Sequence, residues 1–276
     1  MLQNIVIKLR KSSFVRNKKL RKLLRKVSNI IARILYGRYK KVSIAKQYQF
    51  LLNSQFAFSN YENWGGKHNK GFTKLIELAE EKNIVFDIGA HIGLCALPLS
   101  KKINTVYAFE CSNINRNYLE QHIKANHIEN INVIPFLVGD ISKDKVNFFD
   151  VKGGSGVPSI ANLSEINNNV DAINTSHKQI SLDDFCAQNN IIPDVIKIDV
   201  EGAEFLVLEG AKKLILKNKP DIVISLHPKH LKNLGRDVSE IFDYCDTLSY
   251  QLLSCIDGKA IKKEDLSLDE YYMKGL

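Results

Sequence analysis

The chain has 276 residues, of which 45% are hydrophobic and 25% charged, with five cysteines and a formal net charge of +9. This is the composition of an ordinary globular protein and excludes disordered, collagen-like and disulfide-scaffold classes; the length suits one α/β domain of about two hundred residues plus an appendage. No run approaches the ~18 apolar residues of a membrane-spanning helix, and no signal-peptide core is visible.

The charge is unevenly spread. Of the 39 Lys and Arg residues, fifteen lie in residues 1–61, which hold no Asp or Glu; the other 24 face 30 acidic residues, a net of −6. The sequence therefore divides into a basic arm, residues 1–61, and a mildly acidic domain, residues 62–276. In the arm, Leu20, Leu23, Leu24, Val27, Ile30, Ile31, Ile34 and Leu35 recur at helical spacing among Arg21, Lys22, Arg25, Lys26 and Arg33. This predicts an amphipathic helix about 24 Å long. Three roles are open to it: lying on an anionic membrane through residues 1–46, binding RNA, or docking on the domain itself. The sustained apolar stripe favours the membrane or docking over RNA, because phosphate binding needs no Leu/Ile face, and of the two a peripheral membrane helix is the preferred expectation.

Residues 47–80 carry a turn, Tyr61–Gly66, with the single tryptophan, Trp64, and a helix over 71–82. Trp64 either caps a ligand pocket or anchors the arm. Next comes the stretch around which the domain is organised. Ile84-Val85-Phe86-Asp87-Ile88 is a buried strand, and it breaks into Gly89-Ala90-His91-Ile92-Gly93 before a second apolar run. Strand, glycine turn and helix open a nucleotide-binding α/β unit. A dinucleotide site would need a third glycine, and a P-loop would need Gly-Lys-Ser/Thr after Gly93. Asp87 at the strand tip would repel phosphate and suits a cationic nucleoside, for which S-adenosylmethionine is the obvious candidate.

A second strand, Thr105–Phe109, ends in Glu110, placed 21 residues past Gly89 to meet ribose hydroxyls. After a helix over 113–126, residues 131–138 read as a third strand closed by Gly139-Asp140, where Asp140 can accept from an adenine amino group. Residues 146–178 are polar, with Gly153-Gly154-Ser155-Gly156 and a weak strand pattern at 146–151, and read as an acceptor-side loop or lid. Ser181 caps a short helix.

The densest motif follows: Val195-Ile196-Lys197-Ile198 as a fourth strand, Asp199 at its carboxyl end, then Val200-Glu201-Gly202-Ala203-Glu204. Glu201 and Glu204 are expected on one helical face near an N-terminus, with Glu204 a surface acid complementing the helix dipole. A fifth strand, Ile222–Leu226, brings His227 to the same rim, and the tail supplies an antiparallel edge pair around Tyr250–Ile256 and Tyr271. Cys95, Cys111, Cys186, Cys245 and Cys255 form no Cys-x-x-Cys pair and suggest reduced thiols in a cytosolic setting.

From Phe86–Gly93, Ala108-Phe109-Glu110, Val138-Gly139-Asp140, Ser181-Leu182-Asp183, Ile196–Glu204 and Leu208–Ala211, taken in order, the chain resembles the FkbM family of S-adenosylmethionine-dependent methyltransferases. The resemblance implies a Rossmann-like, seven-stranded class I methyltransferase sheet, mostly parallel with an antiparallel last strand. It also implies O-methylation of a hydroxyl, on a sugar, a glycan or a secondary metabolite. His91, Cys111 and Ser225 depart from the family's usual Asn, Pro and acidic residue, and the basic arm lies outside it.

The resulting expectations are specific. Asp87, Gly89, His91, Gly93, Glu110, Asp140 and Asp199 would hold the cofactor, and Asp199, Glu201 or His227 would serve as base. The same Asp/Glu/His set can hold a Mg²⁺-like ion, the less favoured reading. Against a nucleic-acid methyltransferase stand the missing base-amino motif and the missing Pro-Cys pair; a non-catalytic cofactor-binding protein is the remaining rival. The expected setting is cytoplasmic, peripheral on the inner membrane face.

Overall fold

The structure is a computed structural model that describes residues 18–66, 69–151 and 172–276. Its centre is a seven-stranded sheet in the order β11-β12-β10-β9-β3-β4-β5. Here β3 is Ile84–Ile88, β4 Thr105–Phe109, β5 Ile131–Ile134, β9 Val195–Ile198, β10 Asp221–Leu226, β11 Tyr250–Ser254 and β12 Asp269–Gly275. The five strands from β10 to β5 pair in parallel, and β12 runs antiparallel between β10 and β11. The class I methyltransferase topology expected from the sequence is thus present, with its reversed strand.

The inner strands are apolar without alternation because both faces are covered. Phe86 on β3 and Phe109 on β4 pack with Phe185 at ring separations of 5.7 and 4.9 Å. Such pairs add about 0.5–1.5 kcal/mol each beyond area burial. Phe185 lies on α5 (Leu182–Asn189), whose cap Ser181 accepts from the Asp184 amide as the sequence predicts. The other face is covered by α2 (Gly71–Ala79) and the segment Ile92–Leu99, which carries the one-turn α3 (Ala96–Leu99).

Three expectations change. The strand predicted over 131–138 breaks in two, because Pro135 has no amide to donate to a ladder. β5 stays in the main sheet, while β6 (Leu137–Val138) joins a second sheet of order β6-β8-β7. That sheet replaces much of the predicted loop: β7 (Lys143–Val151) and β8 (Ala172–Ile180) pair antiparallel. The glycine-rich stretch at the middle of the expected lid lies outside the described residues.

The third change concerns the arm. Residues 39–58, which composition assigned to it, belong to the domain. β1 (Tyr39–Ile44) and β2 (Tyr48–Asn53) form a hairpin whose alternate residues Val42, Ile44, Tyr48, Phe50 and Leu52 are buried in one core with Val85, Leu97 and Leu119. His122, on α4 (Asn113–Ala125), stitches the hairpin down by accepting from the Asn53 amide at 2.9 Å. What remains as an arm is α1 (Lys18–Tyr36), and it docks through its small side: Ser28 and Ala32 are buried, with Ala32 packed on Ala57 and Phe58. Its large residues face outward, Leu23 at 57%, Ile30 at 60% and Ile34 at 76% exposure.

Candidate functional site

The carboxyl ends of β3, β4 and β9 surround a cavity of about 390 Å³, within the usual range of small-ligand sites. Its floor is the glycine turn. The amides of Gly89 and Ala90 both donate to the Phe109 carbonyl at 3.0 Å, and Gly89 sits at φ +82°. A Cβ there would overlap the backbone carbonyl oxygen of Asp199. The turn is thus clamped between the ends of two neighbouring strands, which only glycine permits.

Glu110 forms one wall and is buried. Its two oxygens accept from the His91 amide at 2.7 Å and the Ser112 amide at 2.8 Å. Two adjacent carboxylate acceptors match the spacing of a ribose diol. Phe136, Leu137, Val138 and Phe148 supply an apolar wall where a purine ring can lie. Asn115 and Trp64 also line the cavity, and among the described residues the buried Asn115 Oδ1 and Trp64 Nε1 have no hydrogen-bond partner. Orphan buried polar atoms are rare in folded proteins and mark places a ligand completes. The cavity therefore offers what an adenosine-type cofactor asks for: close backbone, a paired carboxylate, an apolar slot and unspent polar atoms. His91 lies at the turn, and burial lowers its pKa to about 4, so it is neutral.

The opposite rim is charged. Asp87 and Lys197 are register partners on the parallel strands β3 and β9, so their side chains emerge together. Lys197 Nζ lies 3.0 Å from Asp87 Oδ1 and 3.6 Å from Asp199 Oδ2, with Asp87 fully buried. Burial works against the ammonium, but Asp87 and Asp199 outweigh it and hold Lys197 well above the ordinary lysine value. Asp199 and Glu201 line the cavity, and Glu201 adopts φ +53° in the turn before α6 (Glu204–Gly210).

Behind them, His227 Nε2 lies 3.2 Å from Glu201 Oε2 and 3.8 Å from Asp199 Oδ1, while His227 Nδ1 lies 2.7 Å from Glu204 Oε1. Burial lowers the His227 pKa, but the Glu204 hydrogen bond and the Glu201 and Asp199 charges raise it to about 9. His230, on α7 (Pro228–Asn233), stacks on His227 at 5.6 Å and brings Nδ1 within 3.1 Å of Glu201 Oε2.

The structure brings together Gly89, His91, Glu110, Asp199 and Glu201 around one cavity, with His227 directly behind. It sets others apart. Asp87 is not an open carboxylate at the strand tip, because its charge is engaged by Lys197. Asp140 lies outside the cavity lining and accepts from Gln179 Nε2 at 3.0 Å. Gly93 also lies outside it; a Cβ there would meet Leu119 Cδ1, so its role is packing. Glu204 is not a surface acid but a fully buried one, and Glu201 precedes the helix instead of sharing its face. Sequence reasoning passed over Lys197, Asn115 and His230. A lysine inside a four-residue apolar strand, one turn from an acid-rich motif, was the available signal for the first.

The family model described as the Methyltransferase FkbM domain matches residues 87–252. A curated relative, the uncharacterized protein MJ1452 of Methanocaldococcus jannaschii, is 36% identical over 64 residues; the match spans 23% of this chain and 25% of that protein. Among solved structures, a methyltransferase FkbM from Methylobacillus flagellatus KT is 17% identical with a TM-score of 0.44, covering 91% of this chain and 60% of that one. An rRNA methylase from Streptococcus thermophilus is 12% identical with a TM-score of 0.42, covering 75% of this chain and 95% of its own. SMU.1697c from Streptococcus mutans, in complex with SAH, is 11% identical with a TM-score of 0.41, covering 74% of this chain and 93% of its own.

Proposed function

The chain belongs to the FkbM methyltransferase family, and from that premise we propose that it methylates a hydroxyl of a sugar, glycan or secondary metabolite at the rim formed by Asp199 and Glu201. Use of S-adenosylmethionine follows from the family; when bound, it supplies a methyl group carried on a sulfonium. Gly89, Ala90 and His91 would bring backbone against the nucleoside, Glu110 would accept from its ribose, and Phe136 to Val138 with Asn115 would receive its base.

The observation that carries the reading is the pair of cavity-lining carboxylates at the carboxyl end of β9, held in place by Lys197 and His227. A hydroxyl is a weak nucleophile, and an acceptor for its proton adds about 10²–10⁴-fold. Asp199 or Glu201 takes that proton while Lys197 fixes Asp199 in one orientation. The rest of the rate comes from holding the reacting atoms in line. Transfer from methyl-labelled S-adenosylmethionine to a panel of sugars, glycans and hydroxylated metabolites tests this. Label should enter an oxygen acceptor, and Asp199→Asn should lower turnover by about 10²-fold or more. Label entering RNA bases alone would contradict it.

The arm extends the same reading. α1 keeps its aliphatic stripe exposed although a face of it is docked, and its own residues include seven Lys and Arg and no acidic residue. We infer that it lies on an anionic membrane surface, where each nearby Lys or Arg adds about 1 kcal/mol. No described helix is long and apolar enough to cross a membrane. Flotation with phosphatidylserine vesicles should carry the chain upward at low salt, and Ile30→Ser with Ile34→Ser should abolish it. An intact chain that stays at the bottom of the low-salt gradient rules the arm's role out.

A further inference from the structure

We propose that Asp199, Glu201 and His227 form a binding site for a divalent transition-type cation, with Glu204 as the buried carboxylate that orients the imidazole. Its catalytic meaning rests on the methyl-transfer reading above; its existence does not.

The three side chains come from the end of β9, the turn before α6 and the end of β10, and each offers one ligand atom within 4.8 Å of the others. Neighbouring ligands of an ion bound at about 2.1–2.3 Å lie roughly 3 Å apart and opposite ones a little over 4 Å. The 3.2 and 3.8 Å separations from His227 Nε2 to Glu201 and Asp199 fall in that window. The imidazole is set up from behind. Glu204 Oε1 engages His227 Nδ1 and also accepts from the Gly202 amide at 2.8 Å, so the ring is fixed through Nδ1 and turns Nε2 toward the two carboxylates, where an ion would take the place of the Nε2 proton. That is the outer-shell arrangement of metal-bound histidine.

A second observation comes from charge. Asp87, Asp199, Glu201 and Glu204 lie in one connected cluster whose lysine is Lys197. Four carboxylates there face Lys197 and the imidazole of His227, so the cluster keeps a formal excess of negative charge even with His227 protonated, and burial makes such an excess costly. Two of these carboxylates, Asp87 and Glu204, are fully buried, and each keeps one oxygen, Oδ2 and Oε2, without a hydrogen-bond partner among the described residues. A divalent ion on the open side, where Asp199 and Glu201 line the cavity, offsets most of that charge. One imidazole with two carboxylates suits Mn²⁺ or Zn²⁺ better than Ca²⁺, which prefers oxygen alone.

Placed there, the ion would act on the acceptor as a Lewis acid. The hydroxyl gives its proton to a rim carboxylate or to water, and its oxygen lone pair forms the O–CH₃ bond. The S–CH₃ bond breaks with its electron pair left on sulfur.

The test is titration of EDTA-treated, dialysed full-length chain with Mn²⁺, read by loss of the free-ion electron paramagnetic resonance signal, and with Zn²⁺ by calorimetry. One ion per chain is expected. Binding should weaken at least tenfold in His227→Gln and Glu201→Gln. It should weaken about 10–100-fold in Glu204→Gln, which touches no metal. Circular dichroism and SAH binding report whether each variant is folded; Glu201→Gln, at a partly exposed side chain, keeps the test alive if Glu204→Gln does not fold. Absence of binding of either ion to the wild-type chain, or binding unchanged in His227→Gln and Glu201→Gln, overturns the site. Metal binding without SAH binding would instead defeat the cofactor reading and leave the site standing.

Discussion

Replacing Lys197 by Met is expected to destabilise the fold by about 3–5 kcal/mol, because it strands Asp87, a fully buried carboxylate, without its cation. The loss should be specific to the stranded charge. Asp87→Leu with Lys197→Met removes both ions from the interface of β3 and β9, and should recover most of the stability, since apolar replacement of a buried pair is often neutral. Urea unfolding of the two single variants and the double variant closes the cycle. A coupling near zero would mean that the pair is not what holds the two strands in register. The recovered double variant should still be a poor enzyme, because Asp199 loses the ammonium that lies 3.6 Å from it. Stability and activity are thereby separated at one position.

The second large effect is expected at Gly89. Gly89→Ala puts a methyl group onto the Asp199 carbonyl oxygen at a backbone angle of φ +82° that side chains rarely adopt. The strain alone costs on the order of 1–3 kcal/mol. The turn also cannot shift by itself, since Gly89 and Ala90 are both bonded to Phe109 and the His91 amide is bonded to Glu110. Moving it displaces the cavity floor and the ribose-facing carboxylate together. SAH affinity should fall by about 100-fold, equivalent to roughly 3 kcal/mol. Thermal unfolding with and without SAH reads both effects at once, and an unchanged ligand-induced shift would mean that the turn does not contact the ligand.

Four of the parallel strands were readable as short apolar runs that end at Gly89, Glu110, Asp199 and His227, whereas the seven-stranded, mostly parallel sheet came only from the family resemblance. Glu110 and Asp199 were readable for the same reason: a carboxylate that ends a buried strand stands at the rim. Glu204 was not. Its three-residue spacing from Glu201 suggested one exposed helical face, whereas Glu201 takes a left-handed backbone conformation ahead of the helix and Glu204 is sealed beneath His227. Asp87 was misjudged because its partner lies 110 residues away and becomes its neighbour only through strand register. The hairpin at residues 39–53 was hidden by composition. Lys40, Lys41 and Lys46 made it look like part of the arm, while alternate residues serve the core. The arm's docking by Ser28 and Ala32 reverses the usual rule that the aliphatic face goes inward, and a hydrophobic pattern cannot announce that.

Calorimetric titration of the purified chain with SAH and with S-adenosylmethionine is the most direct measurement. One ligand per chain should bind with measurable heat, and Glu110→Ala, which removes the carboxylate that the His91 and Ser112 amides hold in the cavity wall, should weaken it by at least tenfold. Silence with both ligands, together with binding of a nicotinamide dinucleotide or a nucleoside triphosphate, would contradict the account at its base.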